Sequence, residues 1–486
     1  MSQVEHTERS RRAWVLVALV ITQLMVALDA TIFNIALPQA QRSLNISPEN
    51  RAWPVTAYVL AFGSLLLLGG RLVDLWGRRA TLVVGLIGFG ASSWLAGAAG
   101  SFMMLVWARV AQGLFGALLA PAILATLAAT FSEAQERARA YSLYGLLWAS
   151  GAALGLLLGG ALTQWLTWRY CLYVNVAFSA FSLVLVLVAM PAGRGAAHTH
   201  LDALGLILAS GSFVGVVSGF TRAVHAGWGD PLTLTWLAVG VAALVGFAYW
   251  QRRAPYPVAP ARLVATRNRA GALLALFLTS AAVFSVTIFL VYFLEGTVGY
   301  SPLRIGVAFI PFVAGIGASS RASSRLLAQV GPRPIVPVGM VLAVLGSVLF
   351  TRLSPSSAYY ESILPGLVLL GLGLGLIAAP AIATATAGLV TGDVGPSAAL
   401  VVTAQQIGAS MGLALLNTIA VSVANRAVTH GASAALANLH GYVVVFWWAA
   451  GMCAVGVLAT FVLFESGSLE PAGVSADLPH APAEPI

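Results

Sequence analysis

Fourteen stretches of about twenty apolar residues, separated by short polar connections, run through this sequence, and nothing constrains its fold more. They lie near 13–36, 53–70, 81–99, 103–130, 141–163, 169–190, 202–222, 232–250, 271–296, 303–325, 334–353, 362–390, 396–424 and 441–464. Each is long enough to cross a bilayer core about 30 Å thick as a helix. Lipid offers no partner to backbone N–H and C=O groups, so segments this continuously apolar are helices rather than barrel strands. Composition agrees: 59% of residues are hydrophobic and 8% charged, with a mean hydropathy of +0.90. A soluble globular chain carries about 25% charged residues. The sequence describes an all-α polytopic membrane protein.

Orientation follows from the basic residues, all of which are Arg. With the N-terminus inside, 17 of the 25 Arg fall on the inner face. The positive-inside rule then puts both termini in the cytoplasm of a cell-membrane protein. The net charge of +9 reflects that bias and gives no sign of nucleic-acid binding. Cys171 and Cys453 fall inside spans, which argues against a disulfide framework. Tryptophans such as Trp107, Trp165 and Trp168 lie near span ends, as an interfacial belt requires.

No connection is long enough to be a soluble domain. After a polar N-terminus (1–12), residues 13–190 hold six spans and 202–250 hold two more. An Arg- and Pro-rich linker (251–270) leads to six further spans (271–464) and a tail (465–486) expected to be disordered. The two sets of six resemble each other weakly. LLGGRLVDLWGRRATL (67–82) follows the second span, and a degraded copy, RASSRLLAQVGPRP (321–334), follows the tenth. Gly151, Gly155, Gly159 and Gly160 in the fifth span have counterparts in Gly408 and Gly412 of the thirteenth. Internal repeats of this kind build secondary transporters, with substrate sites near the midplane.

The charged segment 67–82 is out of place in so apolar a chain. Gly69, Gly70 and Gly77 let helices approach and let the chain reverse, while Asp74, Arg78 and Arg79 can bridge to neighbouring helix ends. A positive-inside anchor would need only the charge. The spacing G-x-x-x-D-x-x-G-R-R resembles the signature loop of the major facilitator superfamily. LDATIFNIALP (28–38), WPVTAYVL (53–60), RVAQGLFGA (109–117), WRYCLYVNV (168–176), GYSPLRIG (299–306) and QQIGASMGLA (405–414) continue the series. Together they resemble the fourteen-span drug:proton antiporters of that superfamily over nearly the whole chain. The resemblance implies a major facilitator fold, two six-helix halves plus two inserted helices. It also implies alternating-access export of amphipathic or cationic drugs in exchange for protons, with 67–82 as an inner-face gate and no cofactor.

Asp29 lies about 16 residues into the first span, roughly 24 Å along the helix axis. An intramembrane carboxylate costs several kcal/mol unless paired or protonated. Burial favours its neutral form, as a proton carrier requires; the alternative is a packing or capping carboxylate. The resemblance assigns proton coupling to this residue. Arg109, at a similar depth in the fourth span, stays charged and is the expected partner, unless it is a structural Arg bonded to carbonyls. Gln112 and Gly113 complete that motif. Leu156 stands where the resembled family carries a kinking Pro. Glu295 stands where it carries an amide, and is either a site for a cation or a second proton, or a solvated group at the outer headgroups.

No nucleotide-binding G-x-x-x-x-G-K-[ST] loop and no metal-ligand spacing occur. A polytopic enzyme or a sensor lacks the polar clusters or output domain it would need. Export of one specific metabolite, such as an antibiotic, lipid or siderophore, fits the same residues as export of many drugs. Asp74→Asn is expected to leave insertion intact and slow transport; unchanged flux at equal expression refutes the gate.

Overall fold

The computed structural model describes residues 2–131, 151, 154–191, 202–257, 263–387 and 394–465. The described residues are helical and contain no strand. The first six helices are α1 (Ser2–Ser43), α2 (Trp53–Trp76), α3 (Arg78–Gly97), α4 (Phe102–Thr130), α5 (Leu154–Trp165) and α6 (Tyr170–Ala189). Two follow as a hairpin, α7 (Ala203–Ala226) and α8 (Pro231–Gln251). The rest are α9 (Arg267–Gly296), α10 (Pro302–Ala308), α11 (Ile310–Val330), α12 (Pro332–Phe350), α13 (Leu364–Thr386), α14 (Val394–Thr429) and α15 (Ala434–Leu463). Polar side chains set several starts: Ser101, Asp202, Asp230, Thr266, Ser301 and Ser433 each accept a first-turn backbone N–H.

Among the described residues twelve helices are long and apolar enough to cross a membrane; shorter apolar stretches in α2 (Trp53–Leu66) and α5 stand at the positions of the other two expected spans. The tenth is α10 and α11 together, interrupted at Phe309 just before Pro311, which lacks the N–H a continuous helix would use. Helices α1–α6 pack into one bundle and α9–α15 into another. The α7–α8 hairpin lies against α2 and α14, where the bundles meet.

Segment 67–82 is not a loop. Helix α2 runs on to Trp76 and α3 starts at Arg78, so the connection is Gly77 alone, at φ 86. Glycine pays no Cβ penalty there, and its N–H donates to Val73 O at 3.0 Å. The charges ride on helix ends that outrun the apolar span. The degraded copy is built the same way, with Gly331 at φ 73 between α11 and α12. Helix α1 likewise exceeds 13–36 at both ends.

A side chain at Gly69 would put its Cβ 2.1 Å from Ala117 O of α4, whereas the nearest atom at Gly70 is 3.9 Å away. The same construction brings Gly151, just ahead of α5, to Ala27, and Gly155 of α5 to Thr31 and Leu28, all of α1. On α14 it brings Gly408 to Phe277 and Gly412 to Ala281, both of α9. Thus α5 rests on α1 as α14 rests on α9, with glycines four apart in both.

The hairpin is tied at both ends. Asp202 is buried rather than solvated: besides capping α7 it accepts from Trp250 Nε1 (2.7 Å) and Gln251 Nε2 (2.8 Å). At the other turn Arg222 and the Thr233 N–H hold Asp230 below the usual carboxylate range. Trp168 is also buried, unlike the exposed Trp107 and Trp165, because its Nε1 donates to Ser43 Oγ at 2.8 Å. The tail beyond Glu465 lies outside the described residues.

Gly69→Ala is expected to cost about 1–3 kcal/mol through separation of α2 from α4. Gly70→Ala should be neutral, or stabilising by up to about 1 kcal/mol from helix propensity. Thermal unfolding in detergent separates the two; equal shifts reject the close approach at Gly69.

Candidate functional site

Helix α1 turns Asp29 into the first bundle, where it is fully buried. One carboxylate oxygen, Oδ2, accepts from Arg109 Nη1 at 2.9 Å. The other, Oδ1, accepts from Gln112 Nε2 at 2.8 Å and Asn175 Nδ2 at 2.7 Å. Arg109 and Gln112 stand three apart on α4 and so share a face. Arg109 Nη1 also donates to Gln112 Oε1 (2.7 Å), Arg109 Nε to Pro54 O (3.1 Å) and Gln112 Nε2 to Ser93 Oγ (2.8 Å). The guanidinium carbon lies 4.3 Å from the Tyr58 ring centre and 5.0 Å from that of Phe33. The carboxylate therefore touches α1, α4 and α6 directly and reaches α2 and α3 through its partners.

This set matches a carboxylate to one cation and two amides. Each donor offsets part of the desolvation cost, and losing any leaves an unmatched buried group. Sequence reading brought Asp29 and Arg109 to one depth. It did not single out Asn175 or Ser93, each one polar residue among several in a mostly apolar span. Asn175 Oδ1 is itself buried with no hydrogen-bond partner.

At the end of the molecule that carries the Gly77 turn, Arg79 Nη2 donates to Leu187 O of α6 at 2.9 Å and Arg71 Nη2 to Pro257 O at 3.2 Å. Arg78 is exposed, and the side chain of Asp74 lies outside the described residues. Gly113 brings α4 against α2, where its Cβ would meet Tyr58 O at 2.3 Å. Gly159 faces Ile32 of α1, and Gly160 faces Pro302 and Leu303 of α10. Leu156 is buried, and its carbonyl oxygen faces Gly306. The α5 glycines thus serve both the α1 contact and the contact with the second bundle.

The opposite face joins the bundles. Glu295, at the end of α9, is neither solvated nor near Asp29; its Oε1 pairs with Arg42 at the end of α1, and its Oε2 is buried without a partner. Leu303 N donates to Gln164 Oε1 at 3.2 Å. Arg51, in the α1–α2 connection, is 5% exposed, and its Nε donates to Asn417 Oδ1 of α14 at 3.2 Å. Asn417 Nδ2 in turn donates to Glu49 O at 3.4 Å.

Comparison with known proteins agrees with this architecture. The sequence pattern of the Major Facilitator Superfamily matches residues 19–413. The puromycin resistance protein pur8 of Streptomyces alboniger is 42% identical over 98% of this chain and 95% of its own length. The cephamycin export protein CmcT of Amycolatopsis lactamdurans is 33% identical over 86% of each chain. Among solved structures, an inward-facing, unoccupied bacterial homolog of the human lysosomal transporter Spinster superposes with a TM-score of 0.66. It shares 14% identity, over 93% of this chain and 97% of that one. With repeated bundles, Gly-turned helix pairs and a match over most of its length, this chain belongs to the major facilitator superfamily of membrane transporters.

Proposed function

We propose that this protein exports small amphipathic molecules from the cytoplasm in exchange for protons, with Asp29 as the proton carrier. The buried cluster around Asp29 is the observation that supports this most. Protonation turns one carboxylate oxygen into a donor, so a group that now donates to it loses its acceptor. Arg109, stripped of its counter-ion, then becomes an unmatched buried cation and must move. Asn175 offers the acceptor the neutral acid needs, because turning its amide over presents the Oδ1 that has no partner now. Loading a proton therefore loosens α1 from α4, which is how one protonation event would favour one state of an alternating-access cycle.

The export reading rests on the relatives: one is named for resistance to puromycin and another for export of cephamycin. Each name specifies a single antibiotic, which favours, as the second reading, a dedicated exporter over a multidrug one. In a cell membrane the Gly77 face would be cytoplasmic with both termini, because it gathers Arg71, Arg78, Arg79, Arg321, Arg325 and Arg333. Gly70, Asp74, Gly77, Arg78 and Arg79 would then form the cytoplasmic gate, with Arg79 pinning α3 to the end of α6. Gly113, Gly151, Gly155, Gly159 and Gly160 would be the surfaces on which helices slide. Glu295 would be a second, outer carboxylate. A membrane potential of 100 mV supplies about 2.3 kcal/mol per charge, which supports roughly a fifty-fold substrate gradient.

Proteoliposomes tested with puromycin and a panel of cationic dyes should release protons on substrate addition with the wild type and lose that response with Asp29→Asn. If both respond, the proton passes elsewhere and the assignment to Asp29 fails. A response to one compound alone selects the dedicated exporter.

A further inference from the structure

Arg51 is held in a manner unlike that of an ordinary surface arginine. Its guanidinium carbon lies 4.6 Å from the Tyr292 ring centre, 5.1 Å from Phe289 and 5.6 Å from Tyr442. Phe289 and Tyr442 pack on each other with centroids 5.7 Å apart. Phe289, Tyr292 and Glu295 recur every three residues on α9, so they climb one side of that helix over about 9 Å. The three rings are at most 8% exposed. Two polar atoms here are buried with no partner, Tyr292 Oη and Glu295 Oε2.

All parts of this box belong to the second bundle, and the cation inside it belongs to the first. Any cycle that opens this face must carry Arg51, and Arg42 with it, away from α9. What stays behind is an open aromatic box with a carboxylate at its rim and an unused hydroxyl. Ring faces attract cations most strongly when water is excluded, and Arg is itself an organic cation with an apolar stem. We propose that Phe289, Tyr292, Tyr442 and Glu295 form an exit-side subsite for organic cations, occupied by Arg51 as a built-in competitor while the outer face is closed. A departing cationic substrate rests there as the face opens, and the returning Arg51 displaces it and bars its re-entry. This assignment rests on the export reading for its biological sense, but binding to the box can be measured without transport.

The probe is tetraphenylphosphonium, whose equilibrium binding is measured on the purified full-length protein. Arg51→Gln removes the competing charge and keeps much of the length; it should bind the probe about tenfold tighter than wild type. Arg51→Lys keeps a cation and should stay close to wild type. Adding Tyr292→Leu and Tyr442→Leu to Arg51→Gln should abolish the gain, and Glu295→Gln should reduce it. Should the doubly ring-deleted variant fail to fold, Tyr442→Leu alone in the Arg51→Gln background is used. The neutral probe N-phenyl-1-naphthylamine should bind wild type and Arg51→Gln alike. No gain with Arg51→Gln, a gain that survives loss of the rings, or an equal gain for the neutral probe overturns the subsite. Wild-type export in proteoliposomes is scored separately. Normal export without the Arg51→Gln gain removes the subsite alone; the gain without any export removes the exporter reading and leaves the subsite standing.

Discussion

The first bundle is organised around one ion pair, Asp29 with Arg109, buried within a membrane-spanning bundle. Taking two charges out of water costs more than their mutual attraction returns unless further hydrogen bonds satisfy them. That requirement explains the placement of otherwise unrelated residues. Gln112 bridges the pair, Asn175 comes from α6, Ser93 anchors Gln112 from α3, and Pro54 offers a carbonyl from α2. Tyr58 and Phe33 cover the guanidinium. Five of the six helices of this bundle are committed to one carboxylate, so a change in its charge is felt by nearly all of them. Replacing a buried ion pair by apolar groups of the same volume often leaves a protein at least as stable. In the proposed cycle the pair serves as a switch rather than as a brace.

The repeat shows how one architecture is given chemistry on one side only. Glycines four residues apart, Gly151 and Gly155, meet Ala27 and Thr31 of α1, as Gly408 and Gly412 of α14 meet Phe277 and Ala281 of α9. By that register the counterpart of Asp29 is Thr279, which donates to the sulfur of Met340 at 3.4 Å rather than to any charge. The backbone geometry is kept where helices must approach, because a Cβ there would strike another backbone. Side chains pointing the other way carry no such constraint. Charge was therefore free to differ between the halves, and the second bundle holds a carboxylate, Glu295, at the far end of α9 instead.

Length and hydropathy made the spans legible, since the bilayer imposes both. The Asp29–Arg109 pair was legible for a related reason: isolated charges in apolar spans must find each other, and depth along the helix can be counted. Three features were not. The segment 67–82 read as a loop because charge ends an apolar run, yet charge does not end a helix, and only Gly77 breaks it. Asn175 was hidden because one amide in a span does not reveal which helix face it occupies. Arg51 looked like any outer-loop arginine, because its partners lie from 238 to 391 residues downstream and no local pattern marks them.

Helix α1 links the two ends of the machine. Asp29 sits near its middle and Arg42 near its last turn, 13 residues on, or about 20 Å along the axis. Along its length it pairs Asp29 with Arg109; its end holds Glu295 of the other bundle, and the connection just beyond it carries Arg51 into the aromatic box. The glycines of α5 leave α1 a smooth surface to move over, and the same helix touches α10 through Gly160. If a proton on Asp29 displaces α1 from α4, the displacement arrives at the two contacts that close the outer face. In that proposed cycle no relay of intermediate side chains is needed, because a single helix carries both Asp29 and the end that holds Glu295.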